Sequence, residues 1–187
     1  MIKHICIIPT VVLVVLASGC STLGHIDPAT GRITSRSHYM RVGATILKSD
    51  HIKLERYRSF IYMPNGLIIQ DPNEITGHFD RVVKSYEELE QLLVQEGKSN
   101  IVSGVFDLLA WKKIADSYKP FLVLKEDVRS EGIHEFIQLR VVQADTADYV
   151  FVAEIELSND ESLSGGFDSA AYYPLYNAFL EWLKQNQ

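Results

Sequence analysis

Two adjacent segments, Phe136–Ala144 and Asp148–Leu157, alternate apolar and polar residues with a period of two. In the first, Ile137, Leu139 and Val141 alternate with Gln138 and Arg140. In the second, Tyr149, Phe151, Ala153, Ile155 and Leu157 alternate with a face that ends in Glu154 and Glu156. Successive side chains of a strand point to opposite faces, so the pattern describes an antiparallel hairpin with one buried face. It expects Leu139 inside and Gln138 in water. A sheet with an apolar face must be covered, and the rest of the chain has to supply the cover.

Amphipathic helices are the candidates. Phe79, Val82, Val83, Tyr86, Leu89, Leu92 and Leu93 share one helical face over Phe79–Glu96, and Gly97 follows as a stop signal. A second helix is expected over Val105–Tyr118, with Val105, Leu108, Leu109, Ala115 and Tyr118 inward, and a closing helix over Pro174–Gln185. Strands are expected at Tyr39–Leu47, His51–Tyr57, Ser59–Pro64 and Phe121–Val128. A short return strand fits Leu67–Gln70, a helix start fits Asp71–Pro72, and Asn100–Ser103 suits another short strand. Ser158–Gly166 reads as a loop, and no internal repeat is present. The expected order is β–α–(β)–α–β–β–β–α. That is one α+β domain with a mixed, mostly antiparallel sheet and helices packed on one face.

The amino terminus has a different logic. Lys3 precedes an apolar run, Ile5–Leu16, of 12 residues, within the roughly 7–15 of a signal-peptide core and short of the about 20 that span a bilayer. Small residues and one cysteine follow. The stretch Leu16-Ala17-Ser18-Gly19-Cys20 resembles the lipobox of bacterial lipoproteins, with Ala17 standing where leucine is usual. The resemblance implies that the signal, residues 1–19, is cut before Cys20. It also implies that the Cys20 sulfur carries diacylglycerol and that the new terminus is acylated. Three chains at roughly 0.8 kcal/mol per buried methylene make such attachment effectively permanent. Ser21, rather than aspartate, follows the cysteine; in enteric-type lipoproteins this points to the outer membrane, facing the periplasm. Residues 20–50, which include the turn-forming "DPATG", are expected to be a lipidated tether, and residues 51–187 the folded domain.

Cleavage would leave 168 residues, enough for one core. Cys6 departs with the signal and Cys20 is consumed, so packing rather than disulfides must supply stability. The mature chain has 17 basic residues against 24 acidic. A nucleic-acid partner would need a basic footprint and is excluded. The charge is uneven: residues 21–58 carry +4 and the remainder −11. A basic segment beside an anchor suits anionic lipid head groups, or pairs with the acidic body.

Chemistry-bearing patterns are sparse. His25, His38, His51, His78 and His134 never fall at ligand spacing, and "HEFIQ" at His134–Gln138 lacks the second histidine of the zinc-protease helix. "SLSGG" is no nucleophile elbow. Asp145, Asp148 and the run Asn159-Asp160-Glu161 lack the glycine and alternation of a calcium loop, which favours solvated loops. The stretch "AYYPLYNAFLEW" (Ala171–Trp182) reads as core, or as a partner surface if half of it is exposed. No catalytic residue, metal site or cofactor is expected.

"LERYRSFIYMP" resembles the opening of a family of small uncharacterised bacterial lipoproteins, and "LRVVQADTADYVFVAEIE" resembles a hairpin shared by related envelope lipoproteins, with Ala147 in place of glycine. The element order is similar to the TolB amino-terminal domain and to the curli-secretion and peptidoglycan-synthase-activator lipoproteins. The resemblance implies a non-enzymatic accessory or binding component that meets an envelope protein partner. The alternatives are an auxiliary lipoprotein of an envelope lipid-transport system, and a periplasmic hydrolase.

Overall fold

The computed structural model describes residues 24–64, 77–101, 107–157 and 169–187. The expected signal segment and Cys20 lie outside the described residues, as do the strand at Leu67–Gln70, the helix start at Asp71–Pro72, Val105 and the loop at Ser158–Gly166.

A six-stranded mixed sheet forms the centre. Its strands are β3 (Thr45–Ser49), β4 (Ile61–Tyr62), β5 (Val82–Val83), β6 (Leu122–Glu131), β7 (His134–Gln143) and β8 (Asp148–Glu156), in the spatial order β3-β8-β7-β6-β4-β5. The expected hairpin is β7–β8, in the register Leu139↔Ala153. β6 pairs antiparallel with β7, and β4 runs parallel to both β5 and β6. A small separate ribbon pairs β1 (His25–Ile26) with β2 (Ile33–Thr34). The described helices are α1 (His38–Val42), α2 (Tyr86–Gln95), α3 (Leu108–Ser117) and α4 (Tyr172–Gln185). The α+β class is as expected.

The cover differs: helices lie on both faces rather than one. Leu122, Leu124, Leu139, Val141 and Ala153 pack with α4. Their chain neighbours Val123 and Val142 pack with α2 and α3 on the other side. Consecutive apolar residues, Leu122-Val123-Leu124 and Val141-Val142, mark strand ends buried on both faces. Strict alternation holds only in the middle of the hairpin.

Local boundaries moved for identifiable reasons. The helix expected from Phe79 starts at Tyr86, because Val82-Val83 is instead a β-branched edge strand beside β4. Ser85 caps that helix, its Oγ accepting from Glu88 N–H at 3.2 Å while Glu88 Oε2 accepts from Lys84 N–H at 2.6 Å. This Ser-x-x-Glu arrangement is a start signal visible in the sequence. Asp107 caps α3 in the same way, accepting from Ala110 N–H at 2.9 Å. The inward stripe of α3 is Trp111, Ile114 and Ala115, whereas Leu109 is exposed. Of the strand expected at Asn100–Ser103, Asn100 and Ile101 belong to a 3-10 turn over Ser99–Ile101, and the rest lies outside the described residues.

Of the segment expected as a tether, residues 20–23 lie outside the described residues; the described part, from Gly24, is bonded to the domain. The expected strand Tyr39–Leu47 is split into α1 and β3 by Gly43, at φ 77. The expected strand His51–Tyr57 is a 3-10 turn over Leu54–Tyr57, with Leu54 and Tyr57 buried at the three-residue spacing of that turn. At the β7–β8 turn Ala147 sits at φ 62, where the resembled pattern has glycine. That conformation costs an alanine roughly 1–2 kcal/mol.

Candidate functional site

α4 is a largely apolar helix, and several of its polar side chains hold the amino-terminal segment. The Tyr173 hydroxyl accepts from Gly24 N–H at 3.0 Å. Buried Asn177 grips β2 twice, its Oδ1 accepting from Ile33 N–H at 2.8 Å and its Nδ2 donating to Ile33 O at 2.7 Å. Arg32 pairs with Glu181 at 2.7 Å. Trp182 Nε1 donates to Asp50 O at 3.0 Å. Asn186 Oδ1 accepts from Ile52 N–H at 2.6 Å. Residues 173, 177, 181 and 182 succeed one another at helical spacing, so the segment from Gly24 to Ile52 is strapped along one side of α4. A Cβ on Gly24 would stand 2.7 Å from both Ile33 Cγ2 and Tyr173 Cζ, and only glycine passes there.

Between α4 and the strap lies a cleft of about 370 Å³. Met40 and Ile46 form its outer wall, Phe151 and Trp182 its apolar floor, and the Arg32–Glu181 pair closes one side. The titratable side chains of its lining are that ion pair, already matched. Acid–base catalysis needs a poised donor or acceptor within hydrogen-bond reach of a substrate.

The other residues singled out by sequence are dispersed. His25 lies in β1, His38 in α1 and His51 before the 3-10 turn, while His78 Nε2 contacts Leu54 O at 3.3 Å and His134 bonds Glu156. No group of three metal-ligating side chains occurs among the described residues, and the run at Asn159–Glu161 lies outside them. Asp145 staples rather than floats: Arg56 pairs with it at 2.5 Å and the Tyr57 hydroxyl donates to it at 3.2 Å. Lys112 Nζ donates to its carbonyl at 2.8 Å. Burial, with Asp145 alongside, pushes the Tyr57 hydroxyl up to about 12. The aromatic stretch at Ala171–Trp182 is chiefly core. The sequence reading missed Asn177 and Asn186, whose signal was an asparagine within an otherwise apolar helical stripe.

Across the middle of β6–β7–β8 runs a second polar cluster. Glu154 accepts from Gln138 Nε2 at 2.7 Å and from Arg129 Nη2 at 3.1 Å, and Arg140 pairs with Asp127 at 2.7 Å. Gln138, expected in water, is only 2% exposed. The cluster matches its own charges. On the α4 side, the Tyr172 hydroxyl donates to Glu126 at 3.1 Å, and burial holds the Glu126 carboxyl above its ordinary value of 4.5. A raised carboxyl favours the folded state fully below the unfolded value, and that advantage is lost as pH rises through the folded one. Glu126→Gln is therefore expected to flatten the loss of stability that the wild type shows on going upward from pH 4.5. Urea midpoints across that range, compared between the two proteins, check this; parallel curves would rule it out.

The sequence matches no protein-family model and no curated protein. Solved structures with partial fold similarity include the following three. The LpoB C-terminal domain from Escherichia coli is 14% identical, covers 59% of this chain and 87% of that one, and gives a TM-score of 0.34. The PelC dodecamer from Paraburkholderia phytofirmans is 12% identical over 71% and 96%, with a TM-score of 0.25. Lipoprotein GNA1162 from Neisseria meningitidis is 13% identical over 68% and 99%, with a TM-score of 0.27. Overlap at these scores defines no shared function.

Proposed function

We propose that the chain is an accessory lipoprotein of the bacterial envelope, anchored through Cys20 in the outer membrane and acting by binding a partner rather than by catalysis. In this reading residues 1–19 are removed and Cys20 carries the lipid, four positions before Gly24, which is bonded to α4. The observation that carries it is the strap on α4, which fixes Gly24 to Tyr173 four residues after the lipobox cysteine. Four residues reach at most about 15 Å when fully extended. A domain so closely held works within one layer of the membrane surface, and its partner must be there too. A tether of this kind raises the local concentration of the two, so a weak contact suffices.

Mass spectrometry of the membrane-extracted protein tests the anchor. A chain beginning at Cys20 with added acyl mass is expected. Mature protein that retains Met1, or carries an unmodified Cys20, would end the proposal. A soluble periplasmic form lacking residues 1–20 should bind the partner yet fail to complement a deletion strain. Full complementation by that form would show that location is not what the cysteine provides.

A further inference from the structure

We infer that the α1–β3 edge is a contact surface for an anionic lipid bilayer. Seven large apolar side chains are exposed among the described residues, and three of them, Val42 (61%), Ile46 (46%) and Leu47 (51%), fall within six consecutive positions. Clustering of this kind marks an interaction surface, whereas single exposed apolar residues do not. Basic residues frame the cluster. Arg36 and Arg41 are exposed and form no ion pair among the described residues, and Lys48 meets only its neighbour Asp50 at 3.1 Å. Apolar groups between cations are the composition that inserts at a negatively charged interface. The local charge agrees, because residues 36–50 hold Arg36, Arg41 and Lys48 against Asp50, a balance of +2 in an acidic chain.

Position makes lipid the occupant. The cleft lined by Met40 and Ile46 is also lined by Pro174 and Asn177, beside the Tyr173 that holds Gly24. Resting on the Cys20 anchor, a Cys20–Gly24 separation of about 15 Å at most keeps this edge, rather than the α2–α3 side, within reach of head groups. A second copy of the chain fits poorly. β3 is the outer strand, but its ladder to β8 is interrupted between Ile46 and Lys48, and a bulge with an edge lysine obstructs strand addition. A second copy would also bring the same arginines face to face.

Alkylation of Cys20 leaves the mature chain without a thiol, so Leu47→Cys and Leu109→Cys each accept one fluorescent label. Leu109 is 76% exposed on α3 and serves as the distant control. The labelled lipidated proteins are placed in vesicles of brominated phosphatidylglycerol or brominated phosphatidylcholine. Quenching at position 47 should exceed that at position 109 several-fold on phosphatidylglycerol. It should fall on phosphatidylcholine, in high salt, and in the Arg36→Glu/Arg41→Glu background, each basic group being worth about fivefold in partition. Equal quenching at the two positions overturns the inference, and so does quenching at 47 that ignores lipid charge. Flotation in high salt reads the anchor separately. Protein that floats on both vesicles but quenches equally loses the contact surface and keeps the anchor. Protein that fails to float on phosphatidylcholine loses the anchor, and the surface is then judged by quenching on phosphatidylglycerol alone.

Discussion

Leu139→Asp is expected to leave no folded protein at neutral pH. Leu139 is fully buried in β7, an interior strand of the sheet, and packs towards α4. Its partner directly across β6 is Glu126, which burial already makes reluctant to ionise. A second carboxylate there has neither water nor a counter-charge, and like charges directly opposite on a sheet repel. The cost, on the order of 5 kcal/mol or more, rivals the whole stability of an ordinary domain. Leu139→Ala, which removes packing without adding charge, should lose about 2–5 kcal/mol and stay folded. The neighbouring position is informative in the other direction. Strand alternation alone makes Gln138→Asp nearly silent, but Gln138 donates to Glu154 at 2.7 Å. An aspartate would replace that donor with a second anion, offset in part by Arg140, which donates to Gln138 Oε1 at 2.9 Å, for a net cost of about 1–3 kcal/mol. Urea melts of the three variants decide it. Wild-type midpoints for Leu139→Asp would refute the register, and one for Gln138→Asp would refute the cluster.

Why the sequence disclosed Leu139 but not Gln138 has a physical answer. Period two separates the faces of a strand correctly, yet it does not say whether the second face is dry. That depends on partners far along the chain: Arg129 and Asp127 come from β6, and Glu154 from β8. Long segments with strong patterns, the hairpin and α4, were legible for the same reason that they are stable: each buries a continuous face. Of the short parallel strands, β4 was legible from the aromatic and β-branched run at Ser59–Pro64, whereas β5 has two residues, and no periodicity exists in two residues. Val82 and Val83 were thus absorbed into a helical pattern that fits equally well until Ser85 and Glu88 are seen as a cap. The amino-terminal segment was the hardest. Its turn residues and scattered polar groups resemble a tether, because the bonds that fix it are backbone groups accepted or donated by side chains about 130–150 positions away. Cys20, by contrast, is a local motif that needs no fold to be recognised, and it remains the basis for the proposed anchor.

Asn177→Leu should free the strap while leaving the sheet intact. Both Ile33 backbone groups now end on Asn177 in a buried setting. Leucine offers neither a donor nor an acceptor, and stranding two buried backbone groups costs about 2–4 kcal/mol. That penalty falls on β1, β2 and α1, which can escape it by peeling away from α4, whereas β6–β8 do not share the contact. Trypsin should then cut at Arg32, Arg36 and Arg41 well before Arg129 or Arg140, and peptide mapping over time would show the order. Cutting at wild-type rates with an unchanged melting temperature would mean that Asn177 does not hold the strap. The consequence for location is larger than the energy suggests. With the strap closed, Gly24 is fixed to α4 and stands about 15 Å from the proposed anchor residue at most. With it open, the next fixed point is Thr45, paired with Glu154 in the sheet, about 25 residues and up to about 90 Å from Cys20. One asparagine on α4 therefore separates a domain held against the membrane from one free to cross much of the periplasm. A variant that still folds and is still lipidated, yet no longer complements, would tie function to that distance.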